Sequence, residues 1–396
     1  MIFKASVSKI FILSLFSFTV AAEETTAVPS ADEVKEAEES QAVIQQVEAS
    51  EKNGDETAKT WIPSAEKFDW IQLTSNEWLK GEIKGMYTDS LEFDSDKLDL
   101  LDIDWEDVKI LRSHQVNNVN IEGVGATSGV LEVTDGEVLL INDYEDKTYD
   151  RSQLISFAPG GKKERDLWSI KATLSLDLKQ GNTDQIDYGA KVNIKRRGST
   201  SRFLVDYIGN ISKTNGGDGS LVETINNHRL NASLDYYKTR YFFYTPVFGE
   251  YFRDPFTNID SRVTLGAGLG YTVIDNGRTE LSFGGGPAFV KTEFVSVEAG
   301  ENTSESTPAA VLRTNYDFEI TKNLDFIARY NIQVGNEASG GYTHHIILTL
   351  ESEITGALDF DTSFIWDRTS NPTQAADGTT PVPDDYRVTF GISYTY

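Results

Sequence analysis

The stretch that most constrains this chain is Tyr386-Arg-Val-Thr-Phe-Gly-Ile-Ser-Tyr-Thr-Tyr396. Tyr386, Val388, Phe390, Ile392, Tyr394 and Tyr396 alternate with Arg387, Thr389, Gly391, Ser393 and Thr395. Successive side chains of a strand point to opposite faces, so this run has one apolar, aromatic-ended face and one polar face. A strand of that kind exposes unpaired backbone groups unless another strand covers its edge. Two readings fit the run taken alone: a strand that closes a barrel by pairing with the first one, and an edge strand of a soluble sandwich.

The start of the chain bears on the choice. Lys4 and Lys9 precede an apolar run, Ile10–Val20, and Ala21-Ala22 precede Glu23-Glu24. A short basic region, a brief apolar core and small residues describe a secretory signal peptide over residues 1–22, with cleavage expected after Ala22. No stretch approaches the roughly 20 apolar residues of a membrane-crossing helix. The chain has 0 cysteines, so disulfides and thiolate metal sites are excluded, and no cofactor is expected. Its net charge is -26, with 33 acids against 14 bases in residues 23–165 and 29 against 20 in residues 166–396. Such a chain repels phosphates, which argues against nucleic acid as a partner.

Residues 23–60 are rich in Glu, Ala, Ser and Thr and read as an acidic tether, with a helix capped by Ser30 as the alternative. Residues 61–165 read as a β-rich region of short runs between turn residues. Two segments there echo each other at a spacing of 46: Thr88-Asp89 matches Thr134-Asp135, and Val108 and Leu111 match Leu154 and Phe157. Two tandem β modules and a chance echo both remain open. The carboxylates Glu92, Asp94, Asp96, Asp99, Asp102 and Asp104 lack the spacing of a calcium loop, and a solvated acidic face is the simpler reading.

From Asp166 onward the alternation is sustained. Trp168, Ile170, Ala172, Leu174 and Leu176 share one face, as do Leu324, Phe326, Ala328, Tyr330, Ile332 and Val334. About twelve such runs follow one another, most near the roughly 9–11 residues that a tilted membrane strand needs. The connections alternate in length. Tight turns are expected near 196–198, 238–240, 275–277, 321–323 and 355–356, and longer loops over 213–227, 250–260, 295–307, 334–341 and 367–385. A membrane barrel sorts its connections in this way, and a sandwich has no reason to. The faces of Phe242–Phe252 cannot be assigned, because the run is aromatic on both sides. The expected fold is all-β: a twelve-stranded antiparallel transmembrane barrel over residues 166–396, preceded by the acidic tether and the small β-rich periplasmic region. Phe390, Tyr394 and Tyr396 are the residues expected to close the barrel against its first strand, the barrel-assembly machinery would recognise that closing strand, and the outer face would meet outer-membrane lipid.

At Trp168 and Gly181-Asn182-Thr183-Asp184 the chain resembles the YdiY-like family of salt-induced outer-membrane proteins, which carries domain of unknown function 481. The resemblance covers roughly residues 166–396. It implies a fold and a place in the outer membrane, and it brings no catalytic residues.

No constellation for catalysis emerges. His344 and His345 are consecutive, so a strand points them to opposite faces, while His114 and His228 stand alone. Gly284-Gly285-Gly286 lacks the Lys-Ser or Lys-Thr of a phosphate loop and, with Gly266, Gly268 and Gly270, reads as room made inside the barrel. The inward positions carry both charges: Lys171, Lys191, Arg202, Arg229, Arg313, Arg329 and Arg387 against Asp206, Asp235, Glu280, Asp317, Glu351, Asp359 and Asp361. They either plug the lumen or line a water-filled path. The leading expectation is a narrow channel for small solutes, cations among them. The alternative is a sealed structural barrel whose periplasmic region grips a protein or the cell wall, and an outer-membrane hydrolase is third.

Overall fold

The computed structural model describes residues 62–161, 163–179, 184–215, 220–337 and 340–395. The expectations for the signal peptide, the tether, Gly181–Thr183 and Tyr396 lie outside these residues. Ser64–Tyr396 forms one compact unit.

Its second half is a closed antiparallel barrel of twelve strands: β10 (Trp168–Lys179), β11 (Gln185–Arg197), β12 (Ser201–Asn215), β13 (Leu221–Tyr237), β14 (Phe242–Asp254), β15 (Ile259–Asn276), β16 (Thr279–Phe294), β17 (Ser304–Thr321), β18 (Leu324–Val334), β19 (Tyr342–Thr355), β20 (Leu358–Thr369) and β21 (Asp384–Thr395). The apolar members of each alternation face outward. Leu174 is 70%, Leu265 57% and Phe390 59% exposed, and similar side chains surround the barrel. An apolar belt of this extent is stable only against lipid. Near the loop end Tyr330, His344, Trp366 and Tyr386 stack face to face across four strands, at centroid distances of 5.9, 5.8 and 6.2 Å. Aromatic rows of this kind sit at the boundary between lipid and water.

Most connections keep the expected short and long order, but two of the long ones are shorter than the sequence suggested, and 255–258 is no longer than the turn 238–241. β12 and β13 extend over most of 213–227, and β14 and β15 leave only residues 255–258 between them. Polar residues continue the pairing there because strands of 13 to 18 residues run beyond the membrane into water.

The first half is a nine-stranded antiparallel sheet: β1 (Asp69–Leu73), β2 (Trp78–Tyr87), β3 (Ser90–Ser95), β4 (Asp99–Asp104), β5 (Val108–Ile121), β6 (Gly125–Val133), β7 (Glu137–Ile141), β8 (Lys147–Asp150) and β9 (Leu154–Pro159). The spatial order is β4-β3-β2-β1-β5-β6-β7-β8, and β9 pairs with both β2 and β5. Elements recur at the spacing of 46. A 3-10 turn at Trp105–Asp107 leads into β5, and another at Arg151–Gln153 leads into β9. The halves are not separate bodies, because they share β5 and one apolar core that includes Ile71, Phe93, Leu111, Leu131 and Phe157.

One contact repeats along the chain. Arg151 lies over the Trp105 ring, 4.4 Å from its centroid, and donates to the carbonyls of Trp105 and Val108, both at 2.7 Å. Arg240, in the turn between β13 and β14, donates to the carbonyls of Arg151 and Leu154 at 3.2 and 3.0 Å. Those acceptors lie 46 residues after the first pair. The barrel therefore grips the second half of the sheet as that half grips the first. Tyr241 donates to Asp89 (3.1 Å), Gly277 N–H to Asp104 (2.7 Å) and Tyr87 to the Arg197 carbonyl (3.4 Å), so the sheet is fastened to three short turns.

Inside the sheet, the fully buried Asp69 carboxylate accepts from Ile83 N–H (2.8 Å), His114 N–H (2.8 Å) and the Ser113 hydroxyl (3.0 Å). Asp69→Ala leaves these donors without a partner and should cost the sheet about 3 kcal/mol or more. Denaturant unfolding followed by tryptophan fluorescence should show that loss, while the heat-modifiable gel migration of the barrel stays unchanged.

Candidate functional site

The polar members of the barrel's alternation meet in its lumen. Lys171, Lys191, Arg202, Asp206, Arg229, Asp235, Glu280, Arg313, Asp317, Arg329, Glu351, Asp359, Asp361 and Arg387 all lie on the inward register of their strands. Several pair with strands that are not their neighbours, which only a shared interior allows. Three layers result.

Near the loop end Arg229 of β13 donates to Glu250 of β14 and across the lumen to Asp367 of β20, both at 2.7 Å. His345 Nδ1 lies 2.7 Å from the same Asp367. His344, on the opposite face, belongs to the outer aromatic row. The β20–β21 loop folds over this layer through Asn258 to the Thr373 carbonyl (3.1 Å) and Ala376 N–H to Ser296 (3.1 Å). Only about 40 Å3 of open space remains there.

Near the turn end Arg202 pairs with Asp235 and Glu280 at 3.2 and 3.3 Å, and Arg197 pairs with Asp275 at 3.5 Å. On the wall near the junction of first and last strands, Lys171 holds Asp359 (2.6 Å) and Glu351, and Lys191 holds Asp361 (3.1 Å). Arg329 pairs with Asp317 and Arg387 with Asp385. Asn193 donates to Asp206 at 2.6 Å. Arg313 makes no ion pair among the described residues and lies over the Phe248 ring, 4.3 Å from its centroid.

Glu250, Asp367 and Lys195 also face this interior, and sequence reasoning missed all three. Glu250 and Asp367 were expected to begin loops, and strands that run past the membrane place them inside instead. The aromatic run 242–252 resolves through a bulge between Thr245 and Phe248, which shifts the alternation by one. Phe243, Phe248 and Phe252 all end up buried inside, and each carries a guanidinium: Arg202, Arg313 and Arg229 at 5.4, 4.3 and 4.2 Å. The glycines of β15 make this possible, because a Cβ on Gly266 would strike the Phe248 ring and one on Gly270 the Phe243 ring.

Between the loop-end and turn-end layers lies a cavity of about 380 Å3. Its wall mixes Leu204, Ile208, Phe243, Ile327 and Ile347 with six Lys and Arg side chains and four carboxylates. Ser282 Oγ, Asn331 Oδ1 and Asp361 Oδ1 line it, and none has a hydrogen-bond partner among the described residues. Lys195 and Ile327 also line a second opening of about 330 Å3, which runs beneath the barrel beside the N-terminal sheet. Seven acids border this window (Glu92, Asp102, Asp275, Glu280, Asp317, Glu319 and Asp325) against Lys195, Arg197 and Arg278. Asp102 keeps solvent contact within the recess, yet the surrounding protein and the Glu92 charge push its carboxyl up to about 6.

The barrel closes through four register pairs, Lys171–Leu174 against Ile392–Thr395. Tyr394 takes part, opposite Ala172. Phe390 does not, which corrects the expectation for that residue: β21 stays paired with β20 there but leaves β10 beyond Leu174.

Residues 172–396 match the family described as "Protein of unknown function, DUF481". Among solved structures the chain is similar to the translocator domain of the autotransporter NalP from Neisseria meningitidis, at 11% identity, over 57% of this chain and 88% of that one, with a TM-score of 0.32. It is also similar to the NanC porin, at 7% identity, over 57% and 98% of the two chains, with a TM-score of 0.33. No curated protein sequence matches the chain.

Valine at position 270 should disrupt the inner packing by about 3 kcal/mol, since its branches fall on the Phe243 ring. Gly270→Val should lower the yield of heat-modifiable barrel, and adding Phe243→Ala should restore it. Failure of the second change to rescue would show that the two residues do not share the space.

Proposed function

The chain belongs to the DUF481 family, whose description assigns no activity, and from the shape of the lumen we propose that it is a narrow outer-membrane passage for small solutes. The observation that carries this reading is that the central cavity and the acid-lined window adjoin, with Lys195 and Ile327 lining both. Charged groups that line water cost little to keep ionised, whereas a dry interior would require each of them to be satisfied. Short turns of bacterial barrels face the periplasm, which supports reading the N-terminal sheet as a periplasmic cap over the mouth. The net acidity of the window concentrates cations at this entrance. At the loop end, the Arg229–Glu250–Asp367 layer and the loop above it are the barrier to axial flow.

That same barrier favours a second reading, a sealed barrel whose N-terminal sheet offers its edge strand β8 to a periplasmic partner, since β4 lies against the turn at Gly277. Planar-bilayer recording separates the two. The first reading expects small, discrete conductance steps, raised several-fold by Arg229→Ala, which opens the loop-end layer. A silent barrel in both forms would leave only the second.

Asp102 supplies a pH test. It is charged above about pH 6 and neutral below, in a recess it shares with Glu92, Asp275, Glu319 and Lys195. The cation preference read from reversal potentials should therefore fall as pH drops through about 6. Asp102→Asn should start at the lower value and lose that step. A preference that titrates identically in both proteins would remove Asp102 from the path.

A further inference from the structure

Each strand junction between β10 and β21 taken in chain order carries between nine and fifteen register pairs among the described residues. The closing junction carries four. Beyond it, Ser175 and Leu176 on β10 and Thr389, Phe390 and Gly391 on β21 have no register partner across the gap. Their outward neighbours show that this happens at lipid depth: Leu176 is 60%, Val388 56% and Phe390 59% exposed. Unpaired backbone in hydrocarbon costs several kcal/mol per group and is tolerated where it borders a hydrated cavity.

Such a cavity is present. A crevice of about 10 Å3, room for no more than a water molecule, lies in the wall at this point. It shares Lys191, Ile208 and Asp361 with the central cavity. It shares Ser175, Gly189 and Ala190 with an apolar groove of about 390 Å3 on the outer face, which lies over β10 to β13 beside the junction. Gly189 and Gly391 flank it and narrow the wall, since neither carries a side chain to fill it. A Cβ on Gly391 would press on Thr173, and one on Gly189 on Ser175. The Asp361 carboxylate oxygen without a partner sits at the inner end.

We propose that the β10–β21 junction is a lateral route by which a single-chain amphiphile with an anionic head moves between the lumen and the bilayer. The apolar wall of the cavity receives the chain. Its six cations against four carboxylates receive the head, with Arg313 lacking an ion-pair partner among the described residues. The upward way out is constricted by the Arg229 layer, and four backbone pairs are the smallest obstacle to leaving sideways. The proposal rests on the membrane-embedded lumen of the preceding section but not on conduction along its axis.

The absence of native cysteine allows a direct test in lipid nanodiscs. In Leu176→Cys/Phe390→Cys, a short bis-methanethiosulfonate ties the two strands together beyond the four pairs. The probe is dansyl-undecanoate, with its trimethylammonium counterpart as the cationic control. We expect the carboxylate probe to bind the native protein at least tenfold more tightly than the cationic one. Cross-linking should slow its transfer to acceptor vesicles at least tenfold and leave the single-channel conductance unchanged. The same link across a complete junction, in Leu350→Cys/Thr362→Cys, should have no effect. Equal transfer before and after cross-linking, or no preference for the carboxylate probe, overturns the proposal, whereas loss of conductance alone would bear on the axial passage. If the double variant does not fold, deuterium uptake of the native protein decides. Peptides spanning Thr389–Gly391 should exchange at least tenfold faster than those spanning Thr362–Phe364, and equal rates overturn the proposal.

Discussion

Everything in the second half of this chain follows from the need of backbone N–H and C=O groups for partners where lipid supplies none. An antiparallel sheet meets that need along its length but not at its two edges, so the first and last strands must find each other. Among the described residues they do so over Lys171–Leu174 and Ile392–Thr395 alone. The barrel is thus held strongly by every junction except the one that makes it a barrel. Its interior compensates in part: Lys171 reaches past that junction to Asp359 and Glu351, and Thr173 bonds to Asp361 (3.1 Å) and Ser393 (2.7 Å). Side chains fasten the closure from within where the backbone does so only briefly.

The interior is a set of cations held over aromatic rings and braced by carboxylates from distant strands. Three phenylalanines of β14 carry three arginines, and the glycines of β15 give them room. This divides the lumen into two charged layers with a mixed apolar and polar space between them. The axis is narrowest at the loop end, and at the turn end the acid-lined window adjoins the cavity beside the N-terminal sheet. Whatever enters meets acids at the window and an excess of cations in the cavity.

Much of this was legible in the sequence, because a period of two over a dozen runs admits few folds and the sorted loop lengths remove most of those. The inward positions of Lys171, Arg202, Arg229 and Asp361 follow from that period. Phe243, Phe248 and Glu250 did not, because a bulge between Thr245 and Phe248 changes the phase and sequence periodicity carries no mark of it. Asp367 was hidden by the assumption that strands stop where the membrane stops. The echo at a spacing of 46 had few identities to show, yet the Arg151 and Arg240 contacts repeat it in carbonyl geometry, which depends on backbone shape more than on residue type. The cap on the turn end could not be read at all, since it is built from pairs more than eighty residues apart.

The central claim is that the outward side chains of the barrel strands meet hydrocarbon where those strands cross the membrane. A walk of single cysteines from Tyr386 to Tyr394, each carrying a fluorophore and reconstituted in brominated lipid, measures it most directly. Quenching should rise and fall with a period of two, high at 386, 388, 390, 392 and 394 and low between them. Quenching that is uniform along the strand, or absent throughout, would contradict the account.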